Sequence, residues 1–214
     1  MSIANSIIKY RQELGEVNLV AVSKTKPNEA IQEAYEAGQR DFGENKIQEM
    51  VEKHQDLPKD VRWHMIGHVQ TNKIKYMAPF VHMVHGVDRK KVLVELNKQA
   101  AKNDRVIGCL LQVHIAKEQT KFGLDRIELD MLVKELSEYP NIRVHGLMGM
   151  ATNTSEDEVV EEEFAALKGL FDQYREECQW DTLSMGMSGD YKLAIKHGST
   201  HVRIGSAIFG ARNY

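Results

Sequence analysis

Eight short apolar runs of strand character alternate along this chain with stretches of helical periodicity, and this alternation limits the fold more than any other feature. The first run is LVAVSK and the eighth is HVRIGSAIFG, while intervening stretches such as NEAIQEAYEAGQ repeat apolar residues at helical spacing. Strands that alternate with helices indicate βαβ units and a parallel sheet, and eight such units can close a barrel. We therefore predict an α/β fold, a single-domain (β/α)8 barrel over residues 1–214.

An open doubly wound sheet is the competing architecture. It is disfavoured because no GxGxxG motif follows the first strand and because strand signals continue evenly to the end of the chain. The residues before the first strand predict an extra N-terminal amphipathic helix, with Ile3, Ile7 and Ile8 on its buried side.

Composition narrows the classes of protein to which the chain can belong. A formal net charge of -3 argues against a general nucleic-acid binder. The two cysteines, Cys109 and Cys178, are far apart and fit a reducing compartment better than a disulfide framework. The sequence shows neither a signal peptide nor an apolar run long enough to span a membrane. We expect a cytoplasmic protein with no nucleic-acid or membrane partner.

Lys24 ends the first predicted strand, and its position there needs a physical reason. A buried, unpaired ammonium is costly, so the lysine either returns to solvent or is used in the interior. Functional sites of (β/α)8 barrels lie at the carboxyl ends of the strands. Asn45 follows the second strand, Ser188 ends the seventh and Arg203 lies on the eighth, so all of them share one mouth with Lys24. This shared position favours a functional lysine.

Seven motifs in order give the chain a resemblance to a known family. They are AVSKTKP, FGENKIQE, WHMIGHVQTNK, KFGLD, HGLMGM, LSMGMSGDY and VRIGSAIFG. With them the chain resembles the pyridoxal phosphate homeostasis family, single-domain relatives of the alanine racemase barrel. The resemblance implies a barrel that binds pyridoxal 5'-phosphate (PLP) as a covalent aldimine on Lys24. A Schiff base forms from a neutral amine, the form of lysine that desolvation favours. Lys26, beside Pro27, is the rival lysine, and we expect it in solvent.

Serine and glycine pairs at the last two strands predict a phosphate site. Ser188 with Gly189, and Ser206 with Gly205, can offer hydroxyl and amide donors to a dianion. Phosphate sites of these barrels often follow strands seven and eight. Serines and glycines also make ordinary turns, but the paired occurrence favours phosphate. The family usually has threonine where Ser206 stands.

The resemblance also assigns the remaining cofactor-binding residues. Arg203 matches the arginine that faces the pyridine nitrogen, where a permanently charged guanidinium donates a hydrogen bond and discourages protonation. Asn45 is expected on the ring side, and Ile66 and Met148 are expected as apolar walls. The chain departs from the family pattern after Gly67, where His68 and Val69 replace a proline and an apolar residue, and this puts the loop's shape in question.

Nine histidines raise the possibility of a metal site. His64 and His68 are four residues apart, but on a strand running into a loop this spacing separates them by about 13 Å. His82 and His85 point to opposite faces of a strand, and no cysteine cluster supports zinc. From the sequence we expect no metal.

Two functions remain, from different classes. The first is a PLP-binding protein for intracellular PLP homeostasis and amino-acid balance, without robust turnover and with no catalytic residue. The second is a PLP-dependent amino-acid racemase. Racemisation needs a base on each face of the cofactor, and the sequence, which ends at Tyr214, offers no second domain to supply the base opposite Lys24. We therefore favour the first function and expect a monomer that meets PLP-dependent apo-enzymes only transiently.

Overall fold

The computed structural model describes residues 2–118 and 122–210. Lys121, from the KFGLD motif, and Tyr214 lie outside the described residues. Eight parallel strands hydrogen-bond in chain order, and the last pairs with the first. Leu19 pairs with Val202 and Ala21 with Ile204 across the closing seam. The predicted (β/α)8 barrel is therefore confirmed, and an open doubly wound sheet is excluded by the closure.

The strands are β1 (Asn18–Val22), β2 (Asp41–Glu44), β3 (Arg62–Met65), β4 (Met83–Val87), β5 (Ile107–Gln112), β6 (Ile142–Met148), β7 (Thr182–Met187) and β8 (His201–Ile204). The helices are α1 (Ile3–Leu14), α2 (Asn28–Glu36), α3 (Ile47–Asp56), α4 (Ile74–Met77), α5 (Lys90–Lys102), α6 (Arg126–Lys134), α7 (Asp157–Arg175), α8 (Tyr191–Lys196) and α9 (Ser206–Phe209).

The additional helix α1 exists as predicted, but its buried side differs by one residue. Ile7, Tyr10 and Leu14 are buried at helical spacing, and Ile3 packs against the same core. Ile8 is 47% exposed, so its predicted burial is wrong. Adjacent residues are about 100° apart around a helix, and the stripe that faces the barrel includes position 7 but not position 8.

Two short segments differ from the sequence prediction. The eighth apolar run is not one strand, because β8 ends at Ile204 and α9 begins at Ser206. The sequence also predicts one helix over TNKIKYMAPF, whereas the structure has a 3₁₀ turn (Thr71–Lys73) followed by the single turn of α4. Apolar runs of four or five residues fit either a strand or a buried helical turn, so periodicity alone does not separate them.

The apolar core lies between the barrel and its surrounding helices. Phe42 and Trp63, on neighbouring strands, are fully buried with ring centroids 6.1 Å apart. Within the described residues, no helix is both long and apolar enough to cross a membrane.

Candidate functional site

A cavity of about 280 Å³ opens at the carboxyl ends of β1, β2, β3, β7 and β8. Most of the residues singled out from the sequence line it: Lys24, Asn45, Ile66, Ser188, Gly189, Arg203, Gly205 and Ser206. A larger cavity, of about 900 Å³, lies beside Asp130 and Trp180 on the outer side of the barrel and contains none of them. Convergence of both polar and apolar candidates makes the smaller cavity the candidate site.

Met148 is the one residue of the predicted set that does not line this cavity. It is fully buried and packs with Met83 and Leu110 in the barrel interior. Met150 lines the cavity instead. Side chains two residues apart on a strand share a face, so Met150, one step nearer the mouth, covers Met148.

Lys24 lies in a tight turn beyond β1, two residues after the last strand position rather than on it. The amide of Lys26 donates to the carbonyl of Ser23 at 3.0 Å and closes the turn. Thr25 has a φ of 63°, in the left-handed region that is costly for a β-branched residue. Its amide donates to Glu49 Oε1 at 2.5 Å, which holds the turn in this conformation.

A buried charge cluster lies next to the Lys24 turn. Lys53 Nζ donates to Glu44 Oε1 at 2.8 Å, to Glu49 Oε1 at 2.7 Å and to the carbonyl of Ser23 at 2.8 Å. Ser23 Oγ donates to the same oxygen of Glu44 at 2.6 Å. Burial raises the pKa of Glu44 to about 7, although the Lys53 ammonium acts in the opposite direction. The cluster binds Ser23 and Thr25, the two residues that flank Lys24. The side chains of Glu44, Glu49 and Lys53 therefore position the lysine.

Sequence reasoning missed this cluster, although a signal was present. Lys53 follows Ile47 and Met50 at three-residue intervals and therefore lies on the apolar side of α3. A lysine on a buried stripe needs an acidic partner. The partner is Glu44, at the end of the apolar strand β2.

Arg203 is fixed in the cavity by the barrel itself. Its Nη1 donates to the carbonyl and the Oγ of Ser184, at 2.9 and 2.6 Å, and its Nη2 donates to the carbonyl of Gly149 at 3.0 Å. Burial lowers the pKa of Arg203 to about 10, so it keeps its charge at neutral pH. A guanidinium has five N–H donors, and among the described residues two of them have no partner. Arg203 therefore presents a rigid cation to the cavity.

The serine and glycine pairs meet as predicted at one side of the cavity. Ser188 Oγ accepts a hydrogen bond from the amide of Gly205 at 3.3 Å, which joins the loops after β7 and β8. A Cβ on Gly205 would lie 3.1 Å from Cβ of Val22, so glycine permits the close approach of β8 to β1. In the MSGD motif, the amide of Met187 donates to Asp190 at 2.5 Å, which turns this loop toward the cavity.

Lys26 also lines the cavity, which differs from the solvent position expected from the sequence. Its Nζ donates to the carbonyls of Phe209 and Gly210, at 3.0 and 3.1 Å. The final helix, which sequence periodicity did not reveal, supplies these acceptors. Lys26 therefore ties the β1 turn to α9.

The departure at His68 and Val69 gives a well-packed loop. Val69 is fully buried, and His68 lies 2.8 Å from Asp88 and stacks on Phe122. Another cavity, of about 420 Å³, shares Asn45 with the candidate site and is lined by Asn45, Lys46, Ile47, Gln48, His68, Gln70 and Lys73. The sequence predicts that Gln70, Asn72 and Lys73 cap a helix or border the cofactor pocket. Gln70 and Lys73 line this neighbouring cavity instead, and Asn72 lines neither.

Comparison with known proteins places the chain in a family. The family model described as "Alanine racemase, N-terminal domain" matches residues 2–213. A relative from Vibrio alginolyticus, named pyridoxal phosphate homeostasis protein, is 45% identical, and the match covers 92% of this chain and 88% of the relative. The chain belongs to the pyridoxal phosphate homeostasis family. The family resemblance drawn from the seven motifs is thus confirmed.

Solved structures agree with this family membership. PipY from Synechococcus elongatus, solved with PLP bound, is 34% identical with a TM-score of 0.90, and the match covers 98% of this chain and 100% of PipY. Alanine racemase from Bartonella henselae is 18% identical with a TM-score of 0.78, and the match covers 99% of this chain but 60% of the racemase. The racemase likeness shows the fold alone.

Proposed function

We propose that this chain binds PLP covalently through Lys24 and acts in intracellular PLP homeostasis and amino-acid balance. The observation that carries the proposal is one cavity lined by a lysine, two serine hydroxyls and a buried guanidinium. The names of the family relatives and the PLP bound to PipY support it.

The donor set fits the cofactor's two ends. The hydroxyls of Ser188 and Ser206 and the amide of Gly189 suit a phosphate dianion, while Lys24 supplies a primary amine for an aldehyde. When bound, PLP supplies that aldehyde and a ring that can accept electron density. The cavity is near the lower end of the usual size for small-molecule sites, about 300 Å³, as suits a small ligand.

Arg203 is proposed to face the pyridine nitrogen. Its bonds to Ser184 and Gly149 prevent it from swinging away, and the two N–H groups that have no partner among the described residues are available for a ring acceptor. A cation that donates to the nitrogen keeps a proton off the ring and weakens the ring as an electron sink. Asn45 and Ile66 then border the ring on the side of β2 and β3.

The same cavity favours binding over racemisation. Two-base racemisation needs a second base opposite Lys24. The ionisable side chains among the described lining residues are Lys24, Lys26 and Arg203, and the amine of Lys26 already donates to two carbonyls. We propose a non-catalytic carrier, a single cytoplasmic PLP-binding domain spanning residues 1–214, that is monomeric and transfers PLP to apo-enzymes in transient contacts.

Borohydride reduction tests the covalent attachment. The PLP-loaded chain is expected to show a visible absorption band, and peptide mapping after reduction should place the adduct on Lys24. Lys26→Ala is the matched control, because Lys26 lines the same cavity, and it should keep the adduct that Lys24→Ala loses. An adduct found only on another lysine would refute the proposal.

A further inference from the structure

Three potential metal ligands converge at the mouth of the barrel opposite the cavity. Asp41, His64 and His82 each bring one ligand atom to within 4.8 Å of the others. Asp41 begins β2, His64 lies on β3 and His82 precedes β4. Spacing along the chain does not reveal this set, because its members are neighbours only across strands.

The cluster combines a buried end with an open end. His64 is 1% exposed, Asp41 is half-buried and His82 is exposed. The rings of His64 and His82 are 5.2 Å apart. A cavity of about 350 Å³ beside the cluster is lined by Asp41 and Arg62. An ion can therefore reach the cluster from solvent without opening the barrel.

We propose that Asp41, His64 and His82 bind a divalent transition metal ion of the zinc class, with water as the fourth ligand. Two imidazoles and one carboxylate suit zinc, which prefers four-coordinate sites. Bonds of about 2.0–2.2 Å place tetrahedral ligands roughly 3.4 Å apart. Asp41 and His64, which are 2.9 Å apart, must separate slightly. The exposed His82 must move inward by at most about 1.4 Å, because the ligand atoms lie within 4.8 Å of one another. Arg62 donates to both oxygens of Asp41, from Nη2 to Oδ2 at 2.5 Å and from Nε to Oδ1 at 2.7 Å. The bond to Oδ2 can remain while Oδ1 exchanges its bond for the metal.

Hydrogen bonds connect this site to the cavity through the barrel interior. His64 Nε2 lies 2.9 Å from Asp41, His64 Nδ1 lies 2.9 Å from His85 Nε2, and His85 Nδ1 lies 3.1 Å from Ser184 Oγ. A carboxylate only accepts, so in the metal-free chain His64 carries its proton on Nε2. His85 then donates from Nε2, and the hydroxyl of Ser184 donates to His85 Nδ1.

Metal binding reverses this direction. His64 binds metal through Nε2 and carries its proton on Nδ1, so His85 accepts at Nε2 and carries its own proton on Nδ1. Both rings change tautomer and neither gains or loses a net proton. Ser184 Oγ then accepts from His85 and from Arg203, so occupancy of one mouth alters the hydrogen bonding of the arginine in the other.

Zinc titration of the full chain tests the site. One zinc ion should bind per chain, and Co²⁺ in its place should give visible ligand-field absorption. His82→Asn and Asp41→Asn should weaken binding at least about 100-fold, because loss of an outer partner alone costs 10–100-fold. His197→Asn, a histidine outside the cluster, is the control and should bind like the unmodified chain.

Two results would overturn the proposal: no stoichiometric zinc binding, or equal affinity in His82→Asn and in His197→Asn. His82 is exposed and precedes its strand, so its variant should keep the thermal midpoint of the unmodified chain. Nitrogen NMR of the imidazoles gives a second readout, in which zinc moves the His85 proton from Nε2 to Nδ1. An unchanged His85 tautomer at saturating zinc would also contradict the inference.

Discussion

Replacing Lys53 with methionine tests whether the buried charge cluster holds the Lys24 turn. Methionine keeps an unbranched apolar side chain but removes the ammonium and its three hydrogen bonds, to Glu44, Glu49 and the carbonyl of Ser23. Glu44 is fully buried, and its Oε2 has no partner among the described residues. In the variant, Ser23 Oγ is the hydrogen-bond partner that remains to this carboxyl group.

The expected loss of stability is large. Removing one partner from a buried ion pair costs about 3–5 kcal/mol, because the other charge stays desolvated. At about 2–4 °C per kcal/mol for a chain of this size, the thermal midpoint should fall by roughly 6–20 °C. An exposed pair would cost at most about 1 kcal/mol.

The loss should also depend on pH. Burial raises the pKa of Glu44 from 4.5 to about 7, so the folded chain binds more protons than the unfolded chain between these values. Stability therefore falls as pH rises through this window. Without the Lys53 ammonium the pKa of Glu44 rises further, because that charge acts to lower it. The pH range over which stability falls therefore extends to higher pH in the variant. Lys53→Met should cost least near pH 5, where Glu44 is neutral, and most near pH 8.

Urea unfolding at the two pH values measures both effects. Lys98→Met is the matched control, since Lys98 is exposed and lies 4.0 Å from Glu95, and it should cost less than about 1 kcal/mol. Glu44→Gln added to Lys53→Met should recover much of the loss at high pH, because it removes the unpaired charge. A cost below about 1 kcal/mol at both pH values would refute the reasoning.

Two further predictions concern the cavity. Ser206→Ala should weaken PLP retention by about 1–3 kcal/mol, the range for losing a hydrogen bond to a charged group, and unchanged retention in equilibrium dialysis would place Ser206 outside the phosphate site. Deuterium exchange at Cα of alanine, measured with chiral chromatography on the PLP-loaded chain, should show at best slow exchange, because general acid–base groups contribute about 10²–10⁴-fold each. Turnover on the order of 1 s⁻¹ or faster would favour the racemase.

The barrel could be predicted because eight strand and helix signals repeat evenly along the sequence. The repeat indicates the fold even where the bounds or type of a single element are assigned wrongly. Prediction failed where a segment is too short to show a period, as at α9, whose residues were assigned to β8. It also failed at Ile8, which borders the apolar stripe of α1, since a short stripe does not define its own edge.

Candidate site residues were predictable where a strand end or a motif marked them. Lys24 and the serine and glycine pairs are of this kind, and they line one cavity. The prediction for Met148 was wrong because the alternation of side chains along a strand shows which face a residue lies on, but not how far it lies from the mouth of the barrel. The apolar stripe of α3 indicates that Lys53 needs an acidic partner, but which carboxylate it meets depends on how α3 packs on β2. The cluster around His64 joins neighbouring strands, and a single sequence does not show which side chains meet across them.

The hydrogen-bonded side chains inside the barrel have a consequence for how the strands find their alignment. Asp41, His64, His85, Ser184 and Arg203 come from β2, β3, β4, β7 and β8, and each contacts the next. A strand that slipped by one residue would turn its member outward and leave two buried polar groups unpaired. An apolar interior of equal volume would tolerate such a slip more easily. We expect this row to select one strand register during folding, whatever ligand the finished barrel holds.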